Sequence, residues 1–211
     1  LVALMHNGEV CDMKTFQCPK VHKSFEERLT DLIAKIGENM NLRRAAMLEV
    51  SNGVIASYVH NACKPNLGKI GVLVALESNG DKAKLQELGK HIAMHVAASN
   101  PQFLTIADVD QASIDHEKAI FSEQAKASGK PENIIEKMVE GRIKKYFDEV
   151  VLEEQAYIMD PDKKVKQIVA DAAKEMGADI KLKAFVCFRL GEGLEKRNED
   201  FAAEVASQLK K

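Results

Sequence analysis

The stretch Lys69-Ile70-Gly71-Val72-Leu73-Val74-Ala75-Leu76-Glu77, followed within a few residues by Lys82 to Ala98, decides the fold. Its first part is aliphatic and β-branched, a composition that fits a buried or half-buried strand. The second part changes period. Leu85, Leu88, Ile92, His95 and Val96 recur at three- and four-residue steps, the spacing of one helical face, and Asn100-Pro101 ends the pattern because the residue before a proline disfavours helix. A strand joined by a short link to an amphipathic helix has to bury the same face twice, so a sheet with a helix packed on it is the smallest arrangement that satisfies both.

Working outward, Ala45 to Val50 and Val54 to His60 read as two more strands, separated by Ser51-Asn52-Gly53, where Asn-Gly readily supplies the positive φ of a hairpin turn. With Lys69 to Glu77, reached through Lys64-Pro65-Asn66-Leu67-Gly68, they form an expected antiparallel meander. Before them, residues 23–40 carry Phe25, Leu29, Leu32, Ile33 and Ile36 on one helical stripe, with Ser24 placed to cap the start. After Pro101, two charged helical segments flank Ser128-Gly129-Lys130-Pro131. Ile114, Ala119, Phe121 and Ala125 on one can zip against Ile134, Ile135, Met138, Val139 and Ile143 on the other as an antiparallel pair. A short strand near Tyr157 to Met159, a helix from Lys164 to Met176, a strand from Ile180 to Leu190 and a helix from Asn198 to Leu209 complete the order.

The predicted class is therefore α+β: two small lobes of antiparallel sheet with helices, a protruding antiparallel coiled-coil arm, and a C-terminal helix. The expected divisions are 1–81 for the first lobe, 82–111 with 149–192 for the second, 112–148 for the arm inserted in it, and 193–211 for a C-terminal module. Gly71 to Leu76 and Ala184 to Leu190 are similar enough to be read as equivalent strands of the two lobes.

With 211 residues the chain can bury a core without an external staple, since domains run to roughly 100–200 residues. Apolar residues make up 45% and charged residues 29%, the ordinary mix of a globular chain. Thirty basic residues nearly balance thirty-two acidic ones, for a net charge of −2, and no Lys/Arg block forms a phosphate-tracking stripe. Direct nucleic-acid binding is not expected. The longest apolar runs, such as Ile70 to Leu76, fall far short of the roughly 20 residues that span a bilayer, so no membrane role is expected. Cys11, Cys18, Cys63 and Cys187 contain no C-x-x-C pair, and reduced thiols in a cytoplasmic setting fit them best.

The strongest hint of chemistry is His91-Ile92-Ala93-Met94-His95, because histidines four apart share a helical face and can share a metal. A zinc hydrolase helix would carry Glu at position 92, where Ile stands, and no third ligand follows from spacing. Gly68-Lys69-Ile70-Gly71 lacks the phosphate-loop spacing, and Gly191-Glu192-Gly193 lacks the third glycine of a dinucleotide fingerprint. Ser99, Ser113 and Ser128 stand in no nucleophile elbow, and no cysteine has a local base. Paired carboxylates such as Glu26-Glu27 and Glu153-Glu154 lie in polar segments that read as solvated faces. The chain reads as non-catalytic, with no cofactor.

Six strings carry a resemblance. They are Ile36-Gly37-Glu38-Asn39-Met40-Asn41-Leu42-Arg43-Arg44; Gly68-Lys69-Ile70-Gly71-Val72-Leu73-Val74; His91-Ile92-Ala93-Met94-His95-Val96-Ala97-Ala98-Ser99-Asn100-Pro101; Ser128-Gly129-Lys130-Pro131; Glu136-Lys137-Met138-Val139-Glu140-Gly141-Arg142; and Gly191-Glu192-Gly193-Leu194-Glu195-Lys196 with Asp200-Phe201-Ala202-Ala203-Glu204-Val205. In this order they resemble the bacterial translation elongation factor Ts family, over nearly the whole chain. None of the six strings falls within residues 1–22, whose role stays open. The family's small three-helix N-terminal domain and its Thr-Asp-Phe-Val-Ala segment have no counterpart here, and the chain opens on Leu1 rather than Met, so a fragment without complete exchange activity of its own is expected.

The resemblance implies a guanine-nucleotide exchange factor, not an enzyme. Such a factor binds elongation factor Tu and promotes GDP release by displacing elements of the phosphate and magnesium sites. It implies that Ile70 and Gly71 meet the partner's G domain, Gly71 by allowing close backbone approach. It further implies that His95 reaches the partner as an exposed imidazole near the phosphate-binding loop, with Met94 and His91 beside it. Residues 112–148 resemble the family's coiled-coil protrusion. Asp200 to Leu209 resembles its C-terminal module, where Phe201 and Val205 present an apolar stripe to core or partner. Two rivals stand beside this reading: a metal-dependent hydrolase using His91 and His95, and a structural scaffold that homodimerises through the arm.

Overall fold

The computed structural model describes residues 23–42, 44–126 and 131–193. Helix α1 (Phe25–Ile36) begins where expected: the Glu27 N–H donates to Ser24 Oγ at 3.1 Å, and the Ser24 N–H donates back to Glu27 Oε2 at 2.7 Å. This reciprocal cap satisfies two amides that the first turn leaves without partners. Gly37, at φ 78°, ends the helix right after Ile36, the last residue of the apolar stripe and short of the expected range 23–40.

Strands β1 (Gly53–His60) and β2 (Ile70–Ser78) pair antiparallel, and helix α2 (Lys82–Ser99) follows. Asp81 caps α2 by accepting from the N–H groups of Ala83 and Lys84, and Asn100 closes it in the left-handed conformation at φ 49°. The helix lies unusually close to β1. A Cβ on Gly89 would stand 2.6 Å from the Cβ of Ala56, so the glycine is what permits the contact.

Helices α3 (Gln111–Lys126) and α4 (Glu132–Val150) pack on each other. A hairpin of β3 (Ala156–Tyr157) and β4 (Asp160–Lys164) leads into α5 (Val165–Met176) and β5 (Ile180–Arg189). The class is α+β with small antiparallel sheets, as expected.

Three sequence expectations are corrected. Ala45 to Val50 forms no strand. Its β-branched and aliphatic residues lack a ladder partner, because the Asn52 carbonyl turns toward the end of β2 and accepts from the Ser78 N–H. Gly53, at φ 147°, is required there by the backbone rather than by a hairpin: a Cβ would fall 1.9 Å from the Leu76 carbonyl oxygen. Second, Gly71 to Leu76 and Ala184 to Leu190 are not counterparts in separate lobes. They lie on strands that are neighbours in one sheet of order β1-β2-β5, where Gly71 faces Phe188 and Val74 faces Phe185. Third, the strand near Tyr157 to Met159 stops at Tyr157, and Ile158 and Met159 form the turn of the β3–β4 hairpin.

One core joins both sheets, since Val72, Val74 and Leu76 of β2, Ile92 and Val96 of α2, Leu152, Tyr157, Val165 and Leu182 are buried together. A smaller cluster of Val109, Val150 and Val151 sits at the root of α3 and α4. The expected C-terminal helix, residues 1–22, most of the Ser128-Gly129-Lys130-Pro131 turn, and Phe201 and Val205 lie outside the described residues.

Candidate functional site

A shallow cleft of about 480 Å³ opens where the C-terminal end of β1, the start of β2, the end of β5 and the last turns of α2 come together. Two of the residues singled out in the sequence, Ile70 and Met94, line it side by side with Tyr58, Ala97 and Ala98. Its far rim is the hairpin tip. Ile158 and Met159 project there, 51% and 48% exposed, although both are large apolar side chains. Arg189 forms the polar border: its Nε donates to Asn100 Oδ1 at 2.9 Å and its Nη2 to the Ala97 carbonyl at 2.6 Å. A cation at a helix C-terminus satisfies otherwise unpaired carbonyls and suits the helix dipole. It also ties β5 to α2 and so holds two walls of the cleft at a set distance.

Gly71 follows Ile70 but lies on the opposite, exposed face of β2 and is not part of the cleft wall, and a Cβ there would meet nothing within 4 Å. Nothing inside the described chain therefore demands a glycine at this position. His91 is half-buried one turn before His95 and is not part of the cleft wall.

His95 departs most from expectation. It is not an exposed imidazole: its side chain is fully buried, 0% exposed, because α2 turns this face onto the core between Ile92 and Val96. Both ring nitrogens are engaged. Gln155 Nε2 donates to the Glu149 carbonyl at 2.7 Å and reaches the Ser99 carbonyl, so Gln155 turns its Oε1 to the ring and His95 Nε2–H donates to it at 2.9 Å. That assignment leaves Nδ1 as an acceptor, and the Ile158 N–H donates to it at 3.2 Å. Tyr157 packs its ring against the imidazole with centroids 5.8 Å apart. Burial lowers the His95 pKa below its ordinary value, and the Gln155 hydrogen bond opposes the shift in part.

A shared metal with His91 does not fit this arrangement, because His95 has no free nitrogen to offer. Among the described residues no group of three or more His, Cys, Asp or Glu side chains could hold a metal ion. None of the helices among them is long and apolar enough to cross a membrane.

Sequence reasoning missed Ile158, Met159, Tyr58, Arg189 and Gln155. The one available signal was the apolar pair Ile158-Met159 set directly against Asp160-Pro161, a turn-forming pair, since two large apolar residues in a turn have no core to enter.

An α+β body with an open, largely apolar cleft and two large apolar side chains exposed at its rim offers a surface suited to burying apolar groups from outside the chain. The sequence profile of the family described as "Elongation factor TS" matches residues 2–192. The chain is 53% identical to an elongation factor Ts of Rhodospirillum centenum over 206 residues, 98% of this chain and 67% of that protein. It is 58% identical to an elongation factor Ts of Rhodospirillum rubrum over 211 residues, 100% of this chain and 68% of that one. The chain thus spans about two thirds of the length of these relatives, and it belongs to the elongation factor Ts family.

Proposed function

We propose that this chain acts in guanine-nucleotide exchange on elongation factor Tu, without chemistry or a cofactor of its own, and that the cleft between α2, the sheet end and the β3–β4 tip is a docking surface for that GTPase. The observation that carries the reading is the exposed apolar pair Ile158 and Met159 at the rim of an apolar cleft whose walls Arg189 ties together. Exchange needs no proton transfer. Docking and GDP binding are linked: whatever factor docking takes from GDP affinity, GDP takes from docking affinity. Such coupling requires a contact surface that keeps its shape while the partner's nucleotide loops change.

Ile70 and Met94 supply cleft wall, and Gly71 admits a partner's backbone where any side chain would stand off. His91 borders the surface, and His95 acts from beneath it. The pair of helices α3 and α4 reads as a coiled-coil arm of residues 112–148, inserted between the elements of 82–111 and 149–192. Residues 193–211, with Phe201 and Val205, read as a further docking module, and 1–81 as the leading part of the body. A cytoplasmic setting accords with this role.

The test is GDP release from elongation factor Tu, followed by stopped-flow fluorescence with the full-length factor. Ile158→Ser combined with Met159→Ser, and separately Gly71→Trp, slow release at sub-saturating factor while leaving the melting temperature in place. About tenfold or more is expected for the double variant, as for apolar anchors at the centre of an interface. Release rates equal to wild type in the double variant would remove the cleft from the mechanism, and in Gly71→Trp the other face of the sheet end.

A further inference from the structure

We propose that His95 is a positioning residue for partner docking: held as the neutral Nε2–H tautomer by Gln155, it fixes the Ile158–Met159 tip through the Ile158 N–H, and its protonation releases the tip. The inference rests on the reading of that tip as a docking element. The tip needs an anchor, because the β3–β4 hairpin is short, with Ala156 facing Lys164 and Tyr157 facing Asp160. A two-stranded ribbon of this size is marginal without packing beneath it.

His95 provides that packing on two lines. Its Nδ1 accepts from the backbone of Ile158, and its ring supports Tyr157, whose hydroxyl donates to Met159 Sδ at 3.4 Å. Gln155 closes the relay from the other side. Its amide nitrogen is committed to the Glu149 carbonyl at the end of α4 and to the Ser99 carbonyl at the end of α2, so it cannot turn over to accept a different tautomer. The root of α4, the last turn of α2 and the docking tip therefore meet at one imidazole.

Protonation at Nδ1 would set an N–H against the Ile158 N–H and end that hydrogen bond, leaving the ring only the long contact to Ser99 Oγ at 3.5 Å as an alternative acceptor and the Ile158 amide without its partner. The elements around the ring carry His91 on α2, Glu149 on α4, Glu153 after it, Tyr157 on β3, Asp160 on β4 and Arg189 on β5. None of these is a cause of the ring's shifted basicity, which follows from burial and Gln155. The neutral ring is favoured in the folded chain. Its contribution is therefore complete at and above the ordinary histidine pKa of about 6.5 and is lost only as pH falls through the lowered value of the folded chain.

The experiment compares the full-length factor with His95→Asn and with the Ile158→Ser, Met159→Ser double variant. Affinity for nucleotide-free elongation factor Tu is measured by titration calorimetry from about pH 7.5 downward through the midpoint at which the His95 ring of the folded factor is seen to titrate by NMR. Asn places an oxygen near the Nδ1 position and does not titrate, so it keeps the acceptor for Ile158. Expected is a His95→Asn affinity that does not follow the histidine titration, whatever its level, and a wild-type affinity falling relative to His95→Asn by about three- to tenfold between the high and the low end, the worth of one hydrogen bond. Taking the ratio of the two proteins at each pH cancels titration of the partner itself.

In parallel, the Ile158 amide resonance of the free wild-type factor should shift with the same midpoint as the His95 ring. A ratio constant with pH, together with an Ile158 amide that ignores His95 titration, overturns the relay even if the double variant binds weakly and the docking reading stands. A double variant that binds like wild type, beside an Ile158 amide that does follow His95, removes the docking role of the tip and with it the proposal, while the tautomer assignment survives.

Discussion

The sheet with α2 and the pair α3–α4 differ in how they hold their side chains. In the first, Leu76, Leu85, Ile92, Leu152 and Val165 have no exposed surface, and even a polar ring, His95, is enclosed with its nitrogens satisfied. In the second, Ala125, Ile143 and Val150 are the buried residues of the described helices, while Ile120 and Ile134 stay 36% and 43% exposed. Arg142 lies 5.9 Å from the centre of the Phe121 ring across the seam, a contact of long side chains over a narrow stripe. The difference teaches a division of labour. The body is stabilised by burial from several elements at once, so it can present a cleft of fixed shape. The helix pair depends on its own seam and on the small cluster at its root, so it can open or bend without unfolding the body.

The sharpest way to break this comparison is to cut into the body. Leu76 lies on the central strand, and its Cδ1 would be 3.3 Å from a Cβ placed on Gly89 of α2, so it fills the space where sheet and helix meet most closely. Leu76→Ala should cost about 2–5 kcal/mol, as lost transfer energy plus an incompletely collapsed cavity. Urea unfolding measures it. A loss under about 1 kcal/mol would mean that the body is not the stabilising unit.

A smaller effect sharpens the same contrast from the other side. Ile143 of α4 is 8% exposed, yet Ile143→Ala should lower global stability by only about 1 kcal/mol, the centre of the ordinary range for point changes. Its larger effect is local. Amide exchange should quicken through α3 and α4 while the amides of β2 keep their protection. If β2 loses protection by the same factor, the two regions unfold as one and the division fails.

Much of the body was legible in the sequence because its signals are local. Ser24 with Glu27, and the change of apolar period between Leu76 and Leu85, each name an element by chemistry within one or two turns. What failed was non-local. Ala45 to Val50 has the composition of a strand, but a strand exists only where another offers a ladder, and the Asn52 carbonyl goes to Ser78 instead. The likeness of β2 and β5 suggested two lobes, whereas both are apolar because they lie side by side over one core.

The site was half legible. Ile70 and Met94 fell on the cleft wall while Gly71 faces away from it, and the helical period already placed His95 among the apolar positions of α2, where burial rather than exposure follows. Ile158 and Met159 were legible only as apolar residues beside a turn-forming pair; that the turn is raised against α2 is non-local and was out of reach.

The weakest expected effect separates burial from charge in the body itself. Lys183 of β5 donates to Glu77 Oε1 of β2 at 2.8 Å, beside the register pair of Glu77 with Lys181. The lysine side chain is 46% exposed and the glutamate 27%, so water and salt screen the pair and its attraction is set against the entropy of holding a long side chain. Lys183→Met keeps the aliphatic stem over the sheet and removes only the charge. It should change stability by no more than about 0–1 kcal/mol, and the difference from wild type should shrink further as salt rises. Unfolding of the two proteins in low and high salt reads this directly. A loss approaching that of Leu76→Ala, insensitive to salt, would show that β5 is held to β2 by its ion pair, and the body would then owe its fixed shape to charge at the sheet edge rather than to the core beneath it.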